Sequence, residues 1–258
     1  MSATALVRRP SSRLAEGIVS HIERRPVDVG LALEQWEAYG DALRIAGWRT
    51  VEVPAADDCP DSVFVEDTMV VYGRTAVIAQ PSAPARRAEP AAAEEAVRGF
   101  GYEVHHITTP GTLDGGDILK VGDIVYVAHS GRTNGEGIRQ LRAVFSPLGL
   151  RVIAVPLTKV LHLKTAVTAL PDGTIIGWPA ALDDPAFFPH FVAMPEESGS
   201  HVVVLDDEKV LMAAGAPRSA DLISRLGYTP VPVDISEFEK LEGCVTCLSV
   251  RLREVPAS

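Results

Sequence analysis

Apolar and polar positions follow two periods along this chain, and the same punctuation interrupts them again and again. From Val27 to Ala46 apolar residues recur at helical spacing (Val29, Leu31, Leu33, Trp36, Leu43, Ile45), and Gly47 supplies a stop. Thr50 to Val53 then reads as a strand before Pro54, and Ser62–Val71 with Ala76–Ala79 as a hairpin turned at Gly73-Arg74. The order recurs. Ala91–Phe100 is helical, Gly101 stops it, Val104–Ile107 runs towards Pro110, and Ile118–Val121 with Ile124–Val127 turns at Gly122-Asp123. Next come a helix over Glu136–Leu148, Gly149, a strand Val152–Val155 before Pro156, and a hairpin of Ala166–Leu170 with Thr174–Gly177. Its Asp172-Gly173 turn is a strong hairpin signal.

A fourth unit is weaker, with Phe191–Met194 before Pro195 and then Val202–Leu205 and Val210–Met212. The last has Asp221–Leu226, Gly227, Val231–Val233 and an inner strand Cys247–Leu252, whose hairpin partner is expected to be Ala5–Arg8, closing a ring. Five units of helix, glycine, strand, proline and hairpin at roughly 40 to 50 residues fall in the range of repeat architectures. The plainer alternative is an α/β sandwich whose helices happen to end in glycine. The recurring strand before proline favours the repeat. Each hairpin would then carry a polar motif at its entrance, and a closed ring would bring those entrances together on its axis.

Composition narrows the class. With 258 residues and 47% hydrophobic content, the chain can bury a sizeable core as one large domain or two small ones. A formal charge of -10 and a pI near 5.2 argue against nucleic-acid or anionic membrane partners. Met1–Gly17 has no apolar run and does not read as a signal peptide, and no segment is apolar enough to span a bilayer. Three cysteines, Cys59, Cys244 and Cys247, suit a reducing cytoplasm.

Candidate chemistry centres on Cys247, at the start of the closing strand. A cysteine nucleophile needs a base or a positive neighbour, because a free thiol has a pKa of about 8.5. Of the seven histidines, His162 starts a strand pattern at a repeat entrance; a core histidine is the competing reading. Cys244-x-x-Cys247 could be a redox pair, but a thioredoxin-type motif leads into a helix, and this one leads into an alternating strand. Zinc would need two further ligands, and Cys59 is the one remaining thiol. Asp61, Glu66, Asp67, Asp114 and Asp117 form a second signal. Aspartates beside glycines are often turn formers, yet Glu66-Asp67 lies inside an apolar strand pattern. Adjacent acids there would point to opposite faces, so one must be buried and paired or line a polar pocket. Several carboxylates near one cysteine suit a guanidinium, whose planar N–H donors they accept in pairs. Arg132-Thr133-Asn134 opens a helix, where an anion can bind, while Arg86-Arg87 sits in a polar loop.

Five segments together resemble the dimethylarginine dimethylaminohydrolase family of the guanidine-modifying superfamily: Pro60–Asp67, Leu113–Asp117, Ser130–Asn134, Val160–Lys164 and Thr246–Ser249. The resemblance spans nearly the whole chain in order. It implies one domain over residues 1–258, folded as a five-bladed α/β propeller. Cys247 is then the nucleophile, His162 the acid/base and Asp114 its partner, where some relatives have glutamate. Glu66 and Asp67 would line the guanidinium site, and Asp61 with the carbonyls of Ile18 and Leu241 would take the α-ammonium. Arg86 and Arg132 would hold the α-carboxylate. The implied reaction turns a methylated arginine into citrulline with no metal or organic cofactor, in a cytoplasmic protein with a homodimer as one possible assembly. A deiminase or Nω-hydroxyarginine hydrolase would use the same machinery, and a non-catalytic amino-acid-binding protein would keep only the pocket.

Overall fold

The computed structural model describes residues 3–253. In chain order, β1 (Thr4–Val7) and β2 (Arg49–Glu52) lie parallel, with α1 (Val29–Ile45) crossing between them. β3 (Met69–Tyr72) and β4 (Thr75–Ile78) form a hairpin; α2 (Pro90–Gly99) then returns the chain to β5 (Glu103–His106), parallel to β4. β6 (Ile118–Val121), β7 (Ile124–His129), α3 (Gly135–Phe145) and β8 (Arg151–Pro156) repeat this arrangement. The one-turn α4 (Leu163–Ala166) leads into β9 (Val167–Ala169), β10 (Ile175–Gly177) and β11 (Phe191–Ala193). β12 (Val202–Val204), β13 (Lys209–Ala213), α5 (Pro217–Arg225) and β14 (Thr229–Val233) make the next unit. After α6 (Ser236–Glu239), β15 (Val250–Leu252) pairs antiparallel with β1 and completes the first sheet.

Five three-stranded sheets result, each with an inner strand, an antiparallel middle strand and a parallel outer strand. All five inner strands, β3, β6, β9, β12 and β15, wall one axial cavity. The propeller and its closure by the N-terminal strand are as expected. The unit boundary is not: the strand before each proline joins the hairpin that precedes it, so β5 pairs with β4 and not with the β6–β7 hairpin. A parallel pair needs a long crossover, and the helix supplies one, so helix and outer strand follow the hairpin they complete.

Three strands begin later than their apolar pattern suggests. Val65–Thr68 is a 3₁₀ turn before β3, α4 takes Ala166 from the expected Ala166–Leu170 strand, and Cys247 lies three residues ahead of β15. Near the axis buried carboxylates take backbone N–H groups ahead of β6 and β9. Asp67 accepts from Gly116 and Asp117 from Leu163. Glu66 and Asp67 therefore do not alternate across a sheet; both are buried within the turn.

The apolar cores lie off the axis, in five clusters between neighbouring elements. Helix α1 is capped by Asp28, which accepts from Leu31 N–H at 3.1 Å. It buries Ala32, Trp36, Tyr39 and Leu43, whereas Ile45 is 87% exposed despite its place in the apolar pattern. Tyr39 also donates to or accepts from Ser249 at 2.7 Å, tying the helix to the segment behind Cys247. Leu43→Ala should therefore destabilise the fold by about 2–5 kcal/mol, and Ile45→Ala by no more than about 0.5 kcal/mol. Denaturant melts of both variants check this; equal losses would mean that α1 docks by another face.

Candidate active site

The segments that precede the inner strands meet at one end of the axis. Cys247 sits in a tight turn, its N–H donating to Cys244 O at 3.0 Å and its carbonyl accepting from Glu66 N–H at 3.1 Å. The Cys244 and Cys247 sulfurs lie 3.2 Å apart, both reduced and buried. Cys244, burial, and the acids Glu66 and Asp67 all push the Cys247 thiol up. His162 precedes α4 in extended conformation, 2% exposed. Its Nε2 lies 3.2 Å from Asp114 Oδ2 and its Nδ1 3.8 Å from Asp67 Oδ1. Burial works against the imidazolium, but Asp67, Asp114 and Asp117 outweigh it and carry His162 to about 9. These acids favour the imidazolium over the neutral ring.

Asp67 is the hub of this cluster. Besides His162 it meets Arg86 Nη1 at 2.7 Å and Gly116 N–H at 2.9 Å. Burial opposes its charge; His162 and Arg86 prevail and hold it at about 2. Asp67, Asp114 and His162 present ligand atoms within 4.8 Å of one another, the spacing of a metal site. The Arg86 cation already on Asp67 makes that point a poor one for a metal. Gly116 is required here, since a Cβ would stand 2.7 Å from both Asp67 Oδ1 and His162 Nδ1.

Cys247, His162, Asp67, Asp61, Arg132 and the Ile18 and Leu241 segments border one cavity of about 10 Å³. Asp61 accepts from Ile18 N–H at 3.0 and 3.2 Å, and burial raises its pKa. Arg132 Nη1 is buried with no partner among the described residues, so its guanidinium has a donor to give. Two expected ligands stand differently. Arg86 borders the cavity, but its N–H groups go to Asp67, to both oxygens of Glu89, and to the carbonyls of Asp61 and Phe64. It is a buried counter-charge, with no open fork for a carboxylate. Glu66 does not border the cavity. It faces the axial cavity behind, 2.6 Å from both Lys164 Nζ and Arg251 Nη2.

Two further acids shape the site without touching its chemistry: Asp117, which the sequence singled out among five acids without giving it a role, and Glu242, which it passed over. Asp117 holds the start of α4, and with it His162, by accepting from Leu163 N–H at 3.1 Å, and accepts from Ser130 Oγ at 2.7 Å; burial pushes it up to about 6. Glu242, whose side chain is 3% exposed, holds the segment over the cavity: it accepts from Ser20 N–H at 2.6 Å, Ser20 Oγ at 3.1 Å and His21 N–H at 2.8 Å. Its φ of +61° lies in the left-handed region. The lone signal for it was an acid next to glycine.

No family model matches the chain, but individual proteins do. It is 63% identical over 254 residues to N(G),N(G)-dimethylarginine dimethylaminohydrolase of Streptomyces coelicolor, covering 98% of each sequence. Its identity to the enzyme of that name in Pseudomonas aeruginosa is 39%, covering 95% of this chain and 98% of that one. The crystal structure of a cysteine-to-serine mutant of the Pseudomonas protein, complexed with citrulline, superposes with a TM-score of 0.91 at 38% identity, covering 98% and 100% of the two chains. The N-terminal domain of ArgZ, an arginine dihydrolase from cyanobacteria, shares the fold with a TM-score of 0.86 at 18% identity, covering 99% and 100%. A five-bladed propeller with cysteine, histidine and acid around its axis defines the guanidine-modifying class. Within that class, the chain belongs to the dimethylarginine dimethylaminohydrolase family.

A cavity of about 10 Å³ is smaller than an amino acid, and Ile18 borders it, which places the Ile18–His21 segment where its movement would govern entry. Loss of Glu242 should weaken the closed state by about 1.5–3 kcal/mol, the scale of hydrogen bonds to a charged acceptor. Glu242→Gly, which also suits the positive φ, should raise KM roughly 10- to 100-fold with kcat changed far less. Steady-state kinetics test this, and an unchanged KM would leave Glu242 no role in closure.

Proposed function

We propose that the protein hydrolyses Nω-methylated arginines, such as asymmetric dimethylarginine and monomethylarginine, to citrulline and dimethylamine or methylamine. The observation that carries this is His162, paired with Asp114 at 3.2 Å, and Cys247 bordering one small cavity, with Asp67 as its carboxylate wall. The names and ligands of its relatives support the same reading.

In this reading the substrate guanidinium lies against Asp67. Asp61 and the carbonyls of Ile18 and Leu241 take the α-ammonium, and Arg132 takes the α-carboxylate. Arg86 acts through Asp67, keeping it ionised, and Glu66 acts from behind Cys247. The Cys247 thiolate adds to the guanidinium carbon. His162 gives its proton to the departing amine nitrogen, and the C–N bond breaks to leave a thiouronium on Cys247. His162, now neutral, draws a proton from water as the water oxygen adds to the same carbon. The new hydroxyl then gives up its proton to solvent as its C=O forms and the C–S bond breaks, releasing citrulline and the thiolate. Proton transfer of this kind is worth typically about 10²–10⁴-fold, and holding the reacting atoms in place adds more. Three free cysteines support a reducing, cytoplasmic setting.

A panel of arginine, monomethylarginine, asymmetric dimethylarginine and Nω-hydroxyarginine, scored by citrulline formation, tests the substrate class. The methylated pair should lead. Preference for arginine would make the protein a deiminase, and no turnover of any would leave a binding protein. Cys247→Ser should abolish turnover and Cys244→Ser should keep most of it; equal loss would favour a redox pair.

The raised Cys247 pKa has a further consequence. A bound cation opposes the field of Glu66 and Asp67 and brings the thiol down. Iodoacetamide, which is neutral, should alkylate Cys247 faster with rising pH to beyond the ordinary thiol value of about 8.5. A cationic haloamidine should already react near neutrality. Inactivation rates measured across pH, with peptide mapping, decide the matter: parallel profiles for the two reagents would mean that substrate charge does not help ionise Cys247.

A further inference from the structure

The axial cavity at the end away from His162 has a volume of about 390 Å³. Its walls are the inner strands, which form the unpaired edges of their sheets and so turn free carbonyls towards the axis. Basic side chains meet those carbonyls. Lys120 Nζ donates to Val71 O, Arg253 Nη2 to Val204 O at 2.7 Å, and Arg251 Nη1 to Thr246 O at 3.0 Å and Ser249 O at 2.8 Å.

A carbonyl satisfies a donor without cancelling a charge. Lys120, Lys164, Arg251 and Arg253 all border the cavity, and among its described lining residues Glu66 is the one acid. Glu66 is already shared between Lys164 and Arg251. Lys120 bonds a carbonyl, and Arg253 bonds a carbonyl, lies 5.0 Å from the centroid of the Trp48 ring and has Asp207 as its nearby counter-charge, in a chain whose overall charge is -10. The like charges of Lys164, Arg251 and Arg253 are gathered close to Lys120. A recess with walls of one sign concentrates counter-ions of the other.

We propose that this end of the axis is a binding site for a small multivalent oxyanion, with phosphate or clustered carboxylates held between Lys120 and Arg253. Arginine supplies a planar fork for such oxygens and lysine a compact charge. The occupant sits behind the Glu66–Cys247 contact and does not share the substrate's cavity.

Titration calorimetry of the full-length protein at constant ionic strength tests this, with inorganic phosphate in one arm and citrate in the other to separate the two oxygen sources. Saturable binding of at least one anion is expected. Lys120→Met and Arg253→Met should each weaken it by about tenfold or more, with folding checked by melting temperature. Arg132→Ala, at the opposite end, should leave the affinity unchanged, and phosphate should not raise KM for a methylated arginine. Glu254→Gln controls for the acid that follows Arg253 in sequence, and should bind as wild type does. No binding of either anion overturns the proposal. So does binding that Arg132→Ala removes, binding that both Lys120→Met and Arg253→Met retain, or binding seen only after Glu254→Gln, which would assign the recess to the chain's own carboxylate.

Discussion

The structure depends on keeping Asp67 ionised where no water reaches it. A buried carboxylate is costly unless positive charge and N–H donors surround it. Arg86, His162 and the Gly116 amide do so from three different segments. Each of those segments is fixed in turn by another buried polar contact, through Glu89, Asp114 and Asp117 respectively. Removing any one member leaves a charge stranded among the rest. The cluster therefore sets how five blades meet as firmly as the apolar packing between them does.

That arrangement explains the division of labour in the fold. Apolar clusters hold neighbouring blades together at a distance from the axis, and polar groups occupy the axis itself. At one end the charge balance favours carboxylates, which a guanidinium completes. At the other it favours cations. Glu66 stands between the two, bonded by its backbone to the nucleophile's carbonyl and by its side chain to Lys164 and Arg251.

Much of this was legible in the sequence. Helix stops at Gly47, Gly101, Gly149 and Gly227 are left-handed glycines in the structure, so the repeat could be read from its punctuation. Cys247, His162 and Asp114, the residues proposed for the chemistry, could be singled out because each sits where an apolar strand pattern starts. What could not be read was the short distance between motif and strand. Val65–Thr68 is drawn out of a strand because the Asp67 side chain accepts from Gly116 N–H and Glu66 N–H donates to Cys247 O, and the first N–H of α4, from Leu163, is taken by Asp117; all these partners are remote in sequence. The fate of Arg86 was hidden for the same reason, since Glu89 is a neighbour only because a turn folds it back. Glu242 offered no pattern at all; its partners are 221 and 222 residues distant.

The first blade borrows its inner strand from the other end of the chain, with β15 paired to β1. This has a consequence for biosynthesis. As the polypeptide leaves the ribosome, four blades can complete themselves in order, each from contiguous sequence. β1 and β2 must wait with one edge open until Val250–Leu252 has been made. Cys247 lies just ahead of that strand, so a nascent chain holds His162 and the acids before it holds the thiol proposed as nucleophile. Chemistry and ring closure arrive together, and an unfinished protein is a silent one.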